Sequence, residues 1–365
     1  MGSMAKTYRV AVIGVGAIST MHARALGDLP CAQLVAGCCR SEVKGRKFAD
    51  DFQCSWHADY EQMLNEVKPD FVTITTPSGA HLDPTLACAA RGVHVLCEKP
   101  LEITTARIDQ MIQAARAGGI RLGGIFPQRF NPVVRTCYDA VAAGRFGQLA
   151  AVNTYVPWWR DDAYYAPDRW QGTMALDGGG AMMNQSIHGV DAVQWIAGAA
   201  IDDLPEGSNP VEQVFAFSAK RGHEPGSIEV EDTAVAALRF RNGALGQILA
   251  ATSMFPGSLR RLQIAGRNGT AEVLEDQLLT WQFRSAADGD EAIRQRFAAE
   301  TTSGGGAADP MAIDYTGHTR NIDAFINWLD HDEPFILDGA EARKAVAIIE
   351  AAYESAETGR VAEVG

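Results

Sequence analysis

The sequence predicts an α/β protein in which an N-terminal doubly wound parallel sheet precedes a C-terminal α+β domain with a large, mostly antiparallel open sheet. Apolar strand-like runs alternate with helical segments as far as residue 127, which favours parallel pairing and right-handed crossovers. Long strand-like runs then follow one another, separated by hairpin turn signals. A chain of 365 residues also exceeds one ordinary core, so we expect two domains, 5–127 and 128–365.

The first domain contains five short apolar runs that predict strands. They are Tyr8–Gly14, Gln33–Cys39, Phe71–Thr75, Val93–Cys97 and Arg121–Phe126. Helices are predicted between them, one from the first glycine-rich turn to about residue 29 and others at 43–51, 60–67, 82–91 and 105–117. Glycines follow the last two helices, as is common just past a helix end.

The second domain is predicted to be rich in strands. A helix at 132–143 leads into strands at 149–158, 211–219, 229–240, 244–254, 259–265 and 269–274. Arg241-Asn242-Gly243 and Arg267-Asn268-Gly269 are typical of tight hairpins. The polar, Gly- and Ala-rich stretch 285–310 predicts a long loop, and helices at 315–329 and 341–358 close the chain.

Composition disfavours several classes of function. The net charge of −13 argues against nucleic-acid binding, because phosphates would be repelled. No run of about 18 apolar residues occurs, so we expect no membrane-spanning segment. All seven cysteines lie at or before Cys137 without any CxxC spacing, which disfavours zinc and a disulfide scaffold. We therefore expect reduced thiols in the cytoplasm and no bound metal.

A glycine-rich turn follows the first strand and opens a helix. In Gly14-Val15-Gly16-Ala17-Ile18-Ser19, the first glycine permits a tight turn and the second permits close approach of a pyrophosphate. Ser19 stands where a small side chain allows the helix to pack on the strand. The free N–H groups of the helix N-terminus then face the phosphates. This context predicts a Rossmann-type dinucleotide site rather than a merely structural turn.

The end of the second strand lacks the acidic residue that usually binds a ribose 2′-hydroxyl. Cys39, Arg40 and Ser41 stand there instead. With no carboxylate to repel it, a 2′-phosphate could bind Arg40 and the Ser41 hydroxyl, which favours NADP over NAD. The alternative is that Arg40 is a solvated residue that stacks on adenine with either cofactor.

Candidate catalytic residues follow the third and fourth strands. Pro77 and His81 flank the end of the third strand, and Lys99 follows the fourth, so all lie at the ligand-binding edge of a parallel sheet. Lys99 comes after five apolar residues and before a proline, in a constrained backbone where a cis peptide is plausible. This placement favours a functional lysine over a surface charge.

A second cluster lies in the other domain. Asn184 and His188 are four residues apart in a segment with helical apolar spacing, so they are expected on one helix face. The glycine run 178–180 before them permits close backbone approach, and Asp191 is placed to orient the His188 ring. The alternative for His188 is a satisfied core histidine.

Aromatic residues and an arginine precede this cluster. Trp158-Trp159-Arg160-Asp161 and Tyr164-Tyr165 suit sugar faces and hydroxyls, although paired tryptophans on a strand are also typical of core or interface. Arg160 is a candidate for binding a substrate carboxylate or phosphate. Arg129, Tyr315 and His318 are weaker candidates for pocket contact. The remaining histidines, including His22, are expected to be structural or superficial.

These motifs, in this order, resemble the glucose–fructose oxidoreductase/myo-inositol dehydrogenase (Gfo/Idh/MocA) family. The similarity runs along nearly the whole chain: the glycine turn, Thr76-Pro77 with His81, Glu98-Lys99-Pro100, Gln128-Arg129-Phe130, the segment leading to Asn184 and His188, and the closing helices from His318. The resemblance implies a carbohydrate dehydrogenase that uses NAD(P) and forms a homodimer or homotetramer through the open sheet.

The resemblance also implies roles for individual residues. Lys99 would hold the reacting hydroxyl and His188 would act as general acid/base, with Asn184 completing the catalytic set. Many members have aspartate in place of Asn184, so His188 would carry proton transfer more nearly alone. The implied cofactor contacts are Gly14, Gly16, Ala17, Ile18, Cys39, Arg40, Ser41, Thr75, Thr76, Pro77, His81, Glu98, Lys99 and Gln128. The implied substrate contacts are Lys99, Arg129, Arg160, Tyr165, Trp170, Asn184 and His188.

The expected function is hydride transfer between a nicotinamide cofactor and a hydroxyl or keto carbon of a sugar, sugar acid, sugar nucleotide or cyclitol. The segment 182–185 with its upstream aromatics is similar to a branch that includes sugar-nucleotide uronate dehydrogenases. Two alternatives remain open: cleavage of a glycoside by oxidation and elimination on bound NAD, and a non-catalytic sugar- or nucleotide-sensing protein.

Overall fold

The computed structural model describes residues 6–205, 207–298, 314–331 and 334–365. It divides into two compact units. The first comprises the chain up to Pro127 together with Asp314–Arg343, and the second comprises Gln128–Ile313 and Lys344–Gly365. Residues 314–343 belong to the first unit although they follow most of the second along the chain.

The first unit is built on a parallel sheet of six strands in the order β3-β2-β1-β4-β5-β6. Its topology reverses between β1 and β4, which is where doubly wound sheets bind ligands at the carboxyl ends of their strands. The strands are β1 Tyr8–Ile13, β2 Ala32–Cys38, β3 Ser55–His57, β4 Phe71–Ile74, β5 His94–Cys97 and β6 Leu122–Gly124. Strand β3 was not predicted, because its three residues are too few for a periodic signal.

Six helices accompany this sheet: α1 Ala17–Gly27, α2 Glu42–Phe52, α3 Tyr60–Val67, α4 Leu82–Ala89, α5 Thr105–Ala117 and α9 Thr316–His331. Side-chain caps start three of them, since Ser41, Asp59 and Thr104 each accept a backbone N–H of the first turn. Helix α9 is anchored in this unit because Asn321 accepts the N–H of Phe126 at 3.0 Å and the Tyr8 hydroxyl donates to Asp330 at 2.6 Å.

The second unit is built on an eight-stranded sheet in the order β13-β12-β11-β7-β10-β9-β8-β14. All neighbouring strands are antiparallel except β7 and β10. The strands are β7 Leu149–Pro157, β8 Val211–Ala219, β9 Thr233–Phe240, β10 Leu245–Ala251, β11 Arg261–Gly266, β12 Gly269–Leu274, β13 Gln277–Phe283 and β14 Ala362–Glu363. Both expected hairpins form, whereas β13 and β14 were not predicted.

The helical segments of the second unit are α6 Pro132–Ala142, a π-helix at Ala181–Ser186, α7 Ile187–Gly198, α8 Asp290–Phe297 and α10 Gly339–Thr358, which belongs to this unit from Lys344 onward. Helix α8 corrects the expected long loop at 285–310, whose part 299–310 lies outside the described residues. Tertiary contacts explain the helix, because the Asp290 carboxylate accepts from Arg145 at 2.6 Å and from Trp281 at 2.8 Å.

The two faces of the eight-stranded sheet differ in burial. Residues of β9 alternate strictly, with Ala234, Ala236 and Leu238 buried and the intervening side chains exposed. The buried face packs against α7, where a Cβ on Gly189 would lie 2.5 Å from the Thr154 hydroxyl. On the other face, the described residues of β9 and β10 include exposed side chains. None of the described helices combines the length and apolar composition needed to cross a bilayer.

Candidate functional site

The glycine-rich turn of the first unit has the geometry that a dinucleotide requires. Gly14 has φ +100°, and a Cβ there would lie 2.5 Å from the Thr76 nitrogen, so only glycine fits between β1 and β4. A Cβ on Gly16 would meet no atom within 4 Å. Gly16 is therefore exposed on an open side of the turn, where a pyrophosphate can approach the backbone.

Helix α1 starts at Ala17, directly after this turn, and Ile18 lies in its first turn. The Ser19 hydroxyl accepts the Gly16 N–H at 3.0 Å and donates to the Gly16 carbonyl at 2.7 Å. Ser19 thus stabilises the turn by hydrogen-bonding both backbone groups of Gly16. The sequence predicts only that its small side chain lets the helix pack on the strand. The remaining first-turn N–H groups have no partner within a helix, so the residues present fit a bound pyrophosphate.

The end of β2 presents an exposed cation. Arg40 is exposed, and among the described residues no carboxylate forms an ion pair with it. The Ser41 hydroxyl caps α2 through a 3.4 Å contact with the Lys44 N–H. The Cys39 N–H and carbonyl are occupied by His57 and Trp56, respectively. Arg40 and Ser41 are therefore the side chains here that a ribose or its phosphate can meet.

The loop after β4 is held by its own side chains. The Thr75 hydroxyl donates to the Gly14 carbonyl, and the Thr76 hydroxyl donates to Ala80 at 3.0 Å. The His81 ring is only 1% exposed, with Nε2 2.9 Å from the Thr76 carbonyl and Nδ1 3.0 Å from the Pro100 carbonyl. Its contacts are thus with backbone carbonyls, which favours a supporting role in the cofactor site over direct contact. Pro77 starts the short helical turn that follows.

Lys99 is partly buried just beyond β5, and its peptide bond to Pro100 is cis. The Glu98 carboxylate accepts the Lys99 N–H through Oε2 at 3.1 Å. Its Oε1 lies 2.8 Å from His22 Nε2 and 3.4 Å from His318 Nε2. Burial alone would raise the pKa of Glu98, but the hydrogen bonds from the two histidines outweigh it and hold the pKa well below its usual range.

These three side chains form a cluster of the type that can bind a metal ion. Metal-ligating histidines almost always donate their second ring N–H to an acceptor. The Nδ1 atoms of His22 and His318 are buried and have no such acceptor among the described residues. Two imidazoles that donate Nε2–H to an ionised Glu98 satisfy the carboxylate instead. The donor set therefore fits a hydrogen-bonded anchor and does not fit a metal centre.

In the second unit, Asn184 lies in the π-helix and His188 in the first turn of α7. Such π segments often occur at functional sites. The Asn184 amide donates to Asp177 at 2.6 Å, and its oxygen accepts from Gln185 at 3.1 Å. The sequence analysis assigned no role to Asp177, which is fully buried. A buried carboxylate therefore lies against Asn184 although residue 184 itself is an amide.

The glycine run before the π-helix is required by packing within the protein. A Cβ on Gly179 would lie 2.1 Å from the Tyr353 hydroxyl, and one on Gly180 would lie 1.9 Å from the Glu231 carbonyl. The Glu231 carboxylate accepts the N–H groups of Gly180 and Met182 at 2.9 and 2.8 Å. Glu231 thereby anchors the start of the π-helix, and its distant position in sequence hides this role.

His188 is partly exposed and lines a cavity with Gln128, Thr154, Arg260 and Glu275. Gln128, expected to contact cofactor, thus lies in the same wall as His188. Asp191 accepts from Arg129 through both oxygens, at 2.9 and 2.7 Å. Arg129 is 1% exposed, so this buried pair ties α7 to the 128–130 turn. Orientation of His188 by Asp191 stays a prediction.

The residues before Asn184 that were expected to contact substrate are largely buried. Arg160 donates to Gln185 at 2.8 Å and to the Trp159 carbonyl at 2.7 Å, and its guanidinium packs over Trp158 and Tyr164. Tyr165 donates to Thr252 at 3.1 Å, and burial raises its pKa. Trp170 is partly buried. Arg160 is therefore placed to support Gln185, next to Asn184, more directly than to meet a ligand.

Comparison with known proteins follows the same two-part division. Residues 8–124 match the model of an oxidoreductase family with an NAD-binding Rossmann fold, and residues 134–272 match the GFO/IDH/MocA C-terminal domain. The chain belongs to the Gfo/Idh/MocA family. This confirms the expected family and fold class.

Relatives in this family match most of the chain. It is 29% identical to myo-inositol 2-dehydrogenase of Thermotoga maritima over 72% of this chain and 73% of that protein. It is 27% identical to D-glucoside 3-dehydrogenase of Escherichia coli, with 98% and 97% covered. The WlbA dehydrogenase of Bordetella pertussis, solved with NADH and UDP-GlcNAcA, has a TM-score of 0.86 and 30% identity, with 100% and 99% covered.

Family membership and these relatives confirm the expected class of enzyme. The protein is a nicotinamide-dependent oxidoreductase that acts on a hydroxyl or keto carbon of a sugar-type substrate. Neither alternative, oxidative glycoside cleavage or sensing without catalysis, is favoured by them.

Proposed function

We propose that this protein oxidises a ring hydroxyl of a nucleotide-linked uronic sugar. Full-length similarity at 30% identity to WlbA dehydrogenase, whose structure holds NADH and UDP-GlcNAcA, is the observation that carries the proposal. A second WlbA dehydrogenase, from Chromobacterium violaceum, was solved with the same two ligands and is 28% identical with a TM-score of 0.85.

In the proposed reaction, Lys99 and His188 act on one substrate hydroxyl. When bound, the nicotinamide would accept the hydride that leaves the carbon bearing this hydroxyl. His188 takes the hydroxyl proton as general base, at a ring nitrogen of its partly exposed side chain in the first turn of α7. The Lys99 ammonium hydrogen-bonds the same oxygen and stabilises the negative charge that develops there. Reduction reverses both roles.

Asn184 serves in this proposal as a fixed polar contact rather than as a proton carrier. Its amide is held by Asp177 at 2.6 Å, and an amide does not exchange protons as a carboxyl does. Arg160 supports this contact through Gln185, and Arg129 supports α7 through Asp191. Tyr165 and Trp170 then shape the surroundings of the substrate.

Arg40 decides cofactor choice in this proposal, with NADP preferred. Its exposure and the absence of a described carboxylate partner support contact with a 2′-phosphate. Replacing Arg40 with Asp should weaken NADP⁺ binding about tenfold or more while NAD⁺ binding changes far less, because a 2′-phosphate then meets a negative charge. Equal losses for both cofactors, measured by fluorescence titration, would contradict the assignment.

The open sheet face is proposed as the surface that forms a homodimer or homotetramer. Phe217 and Val235 are adjacent across β8 and β9, Leu245 lies on β10 of the same face, and their exposed fractions are 66%, 39% and 56%. Phe217 and Val235 form a contiguous exposed apolar pair, and contiguous exposed apolar residues mark interaction surfaces. A cytoplasmic location is proposed from seven cysteines that are all unpaired.

The test is absorbance at the reduced-nicotinamide band, with NAD⁺ and NADP⁺ tried separately against UDP-linked uronates, free uronates, neutral sugars and inositols. Turnover that is highest with a UDP-linked uronate supports the proposal. Turnover confined to an unlinked sugar or inositol overturns the substrate class. Glycoside cleavage without net reduction of cofactor would favour the oxidation–elimination alternative.

A further inference from the structure

The segment that carries Lys99 is held from both sides by buried histidines of the first unit. We propose that His22 and His318, acting through Glu98, together with His81, acting on Pro100, are positioning residues that fix Lys99 for catalysis. The catalytic part of this inference rests on the proposed function. Its structural part concerns the segment from Glu98 to Leu101 and stands on contacts alone.

On the N-terminal side, Glu98 is the link between the histidines and Lys99. One carboxylate oxygen lies 2.8 Å from His22 Nε2 and 3.4 Å from His318 Nε2, while the other accepts the Lys99 N–H at 3.1 Å. His22 is fully buried, and Glu98 and His318 are nearly so. The carboxylate therefore has donors on both oxygens, and its orientation is fixed by helices α1 and α9.

The protonation of this cluster favours a rigid link. Burial lowers the pKa of His22, so its ring is neutral near pH 7 and donates one N–H. Glu98 is ionised, because hydrogen bonds from His22 and His318 outweigh the effect of burial on its pKa. Charge-assisted hydrogen bonds to a carboxylate are roughly twice as strong as neutral ones. Removal of either donor would leave buried charge under-satisfied and loosen the Lys99 backbone.

On the C-terminal side, the buried His81 ring lies between two strand ends, and because burial lowers its pKa the neutral ring donates its one N–H to one of the carbonyls that face it and packs against the others. Its ring lies 3.0 Å from the Pro100 carbonyl, 3.3 Å from the Leu101 carbonyl and 2.9 Å from the Thr76 carbonyl. It thereby connects the loop after β4, which also packs on Gly14, to the residues after Lys99. One buried ring thus contacts both the segment that follows the reacting lysine and the loop that packs on the nucleotide turn.

Such fixing has a functional consequence. A misplacement of about 1 Å, even from a change away from the chemistry, can lower turnover about 100-fold. Loss of the link should therefore lower kcat more than it lowers cofactor affinity, because the phosphate and ribose contacts at Gly14, Gly16 and Arg40 remain in place.

The experiment compares His22→Leu, which removes the donor, with His22→Gln, whose amide can reach Glu98 as Nε2 does. His94→Gln is the matched control, because His94 is a partly buried histidine at the opposite end of β5 that accepts the Arg121 N–H at 2.9 Å. Two quantities are measured in the full-length protein: hydrogen exchange of the peptide that contains Lys99, and kcat with the cofactor Kd.

For His22→Leu we expect exchange of the Lys99 amide to rise about tenfold or more, as local opening becomes easier. We also expect kcat to fall about tenfold or more while the cofactor Kd changes less than about threefold. His22→Gln should restore most of both quantities, and His94→Gln should leave both near wild type. If His22→Leu does not fold, His318→Leu serves in its place.

Unchanged exchange in His22→Leu would overturn the inference, and so would equal effects in His94→Gln, which would indicate general destabilisation. The exchange measurement needs no substrate. If the wild-type protein turns over no sugar nucleotide but the exchange pattern holds, the proposed function fails and the positioning of Lys99 stands.

Discussion

At the scale of single residues, Asn184 shows how the site departs from the pattern that its family resemblance suggests. Many members have aspartate there, yet this chain places a buried carboxylate beside the amide, since Asp177 accepts from Asn184 at 2.6 Å. Asp177 thus places a carboxylate next to residue 184, where many family members have their own aspartate. The amide is the group that can share that hydrogen bond without a second charge.

Replacing Asn184 with Asp should therefore destabilise the protein. Two buried carboxylates within hydrogen-bond distance cannot both ionise easily, so the pKa of the pair would rise above its unfolded value. A raised folded-state pKa contributes stability at low pH that is lost as pH rises. We expect a loss of about 1–3 kcal/mol at pH 8 and less at pH 5, measured by urea unfolding.

The control for this change is Asn153→Asp, because Asn153 donates to the neutral Gln263 at 3.1 Å on the sheet. It should show no comparable pH dependence. Stability of Asn184→Asp that is flat between pH 5 and 8 would contradict the arrangement of Asp177 and Asn184.

His22 gives a second prediction at this scale. Burial lowers its pKa, so below about pH 6.5 the unfolded chain takes up a proton that the folded chain does not. The free energy of unfolding should therefore fall as pH drops from 7 to 5. His22→Gln should remove part of this decline, and His81 and His94, whose pKa values burial also lowers, should keep the rest. An unaltered slope in His22→Gln would contradict a neutral buried ring.

At the scale of elements, the two units require glycine for different structural reasons. The run before the π-helix lets Gly179 and Gly180 approach Tyr353 and Glu231 of the same protein. Gly16 instead faces open space at the start of α1. The sequence shows that both places need glycine, but the packing partner at Gly180 lies 51 residues away along the chain and only the fold reveals it.

Gly180→Ala should therefore lower stability, whereas Gly16→Ala should lower cofactor affinity. At Gly180 the new Cβ would lie 1.9 Å from a backbone oxygen, so unfolding free energy should fall by about 2 kcal/mol or more. At Gly16 the Cβ meets no protein atom, so stability should change by less than about 1 kcal/mol while cofactor affinity falls about tenfold or more. Thermal unfolding and cofactor titration measure the two. Unchanged cofactor affinity in Gly16→Ala would contradict the dinucleotide site.

Most elements could be predicted from the sequence because their apolar period is long enough to read. Helices α3 and α5 and strands β8 and β12 have the predicted bounds. Several of the missed elements are short or depend on tertiary contacts. Strands β3 and β14 have only three and two residues, and α8 is polar but held by Asp290 contacts to Arg145 and Trp281.

At the scale of the whole molecule, each unit combines distant parts of the chain. Residues 314–343 return to the first unit, and Lys344–Gly365 return to the second. A reading along the sequence places the main boundary at Pro127 but does not show these returns. For the same reason the sequence predicts Glu98 and Lys99 as site residues but predicts only a structural or surface role for His22, because the ring meets Glu98 only after helix α1 packs beside the sheet.

The open face of the second unit gives a prediction at this scale. Phe217→Glu combined with Leu245→Glu should convert an oligomer to a monomer, because charges replace the exposed apolar residues that we propose are buried between subunits. Light scattering after gel filtration measures the mass. Leu279→Glu is the control, since Leu279 is 53% exposed but lies on β13 at the far edge of the sheet. Retained mass in the double variant would contradict the proposed interface.

Single-turnover reduction of the cofactor tests the central claim most directly. Enzyme with bound cofactor is mixed with a UDP-linked uronate, and wild type is compared with Lys99→Met and His188→Asn. The account predicts that both variants bind cofactor within about threefold of wild type and reduce it about 100-fold or more slowly, because each lacks a group that acts on the reacting hydroxyl. Reduction at the wild-type rate in either variant would contradict the roles proposed for these two residues.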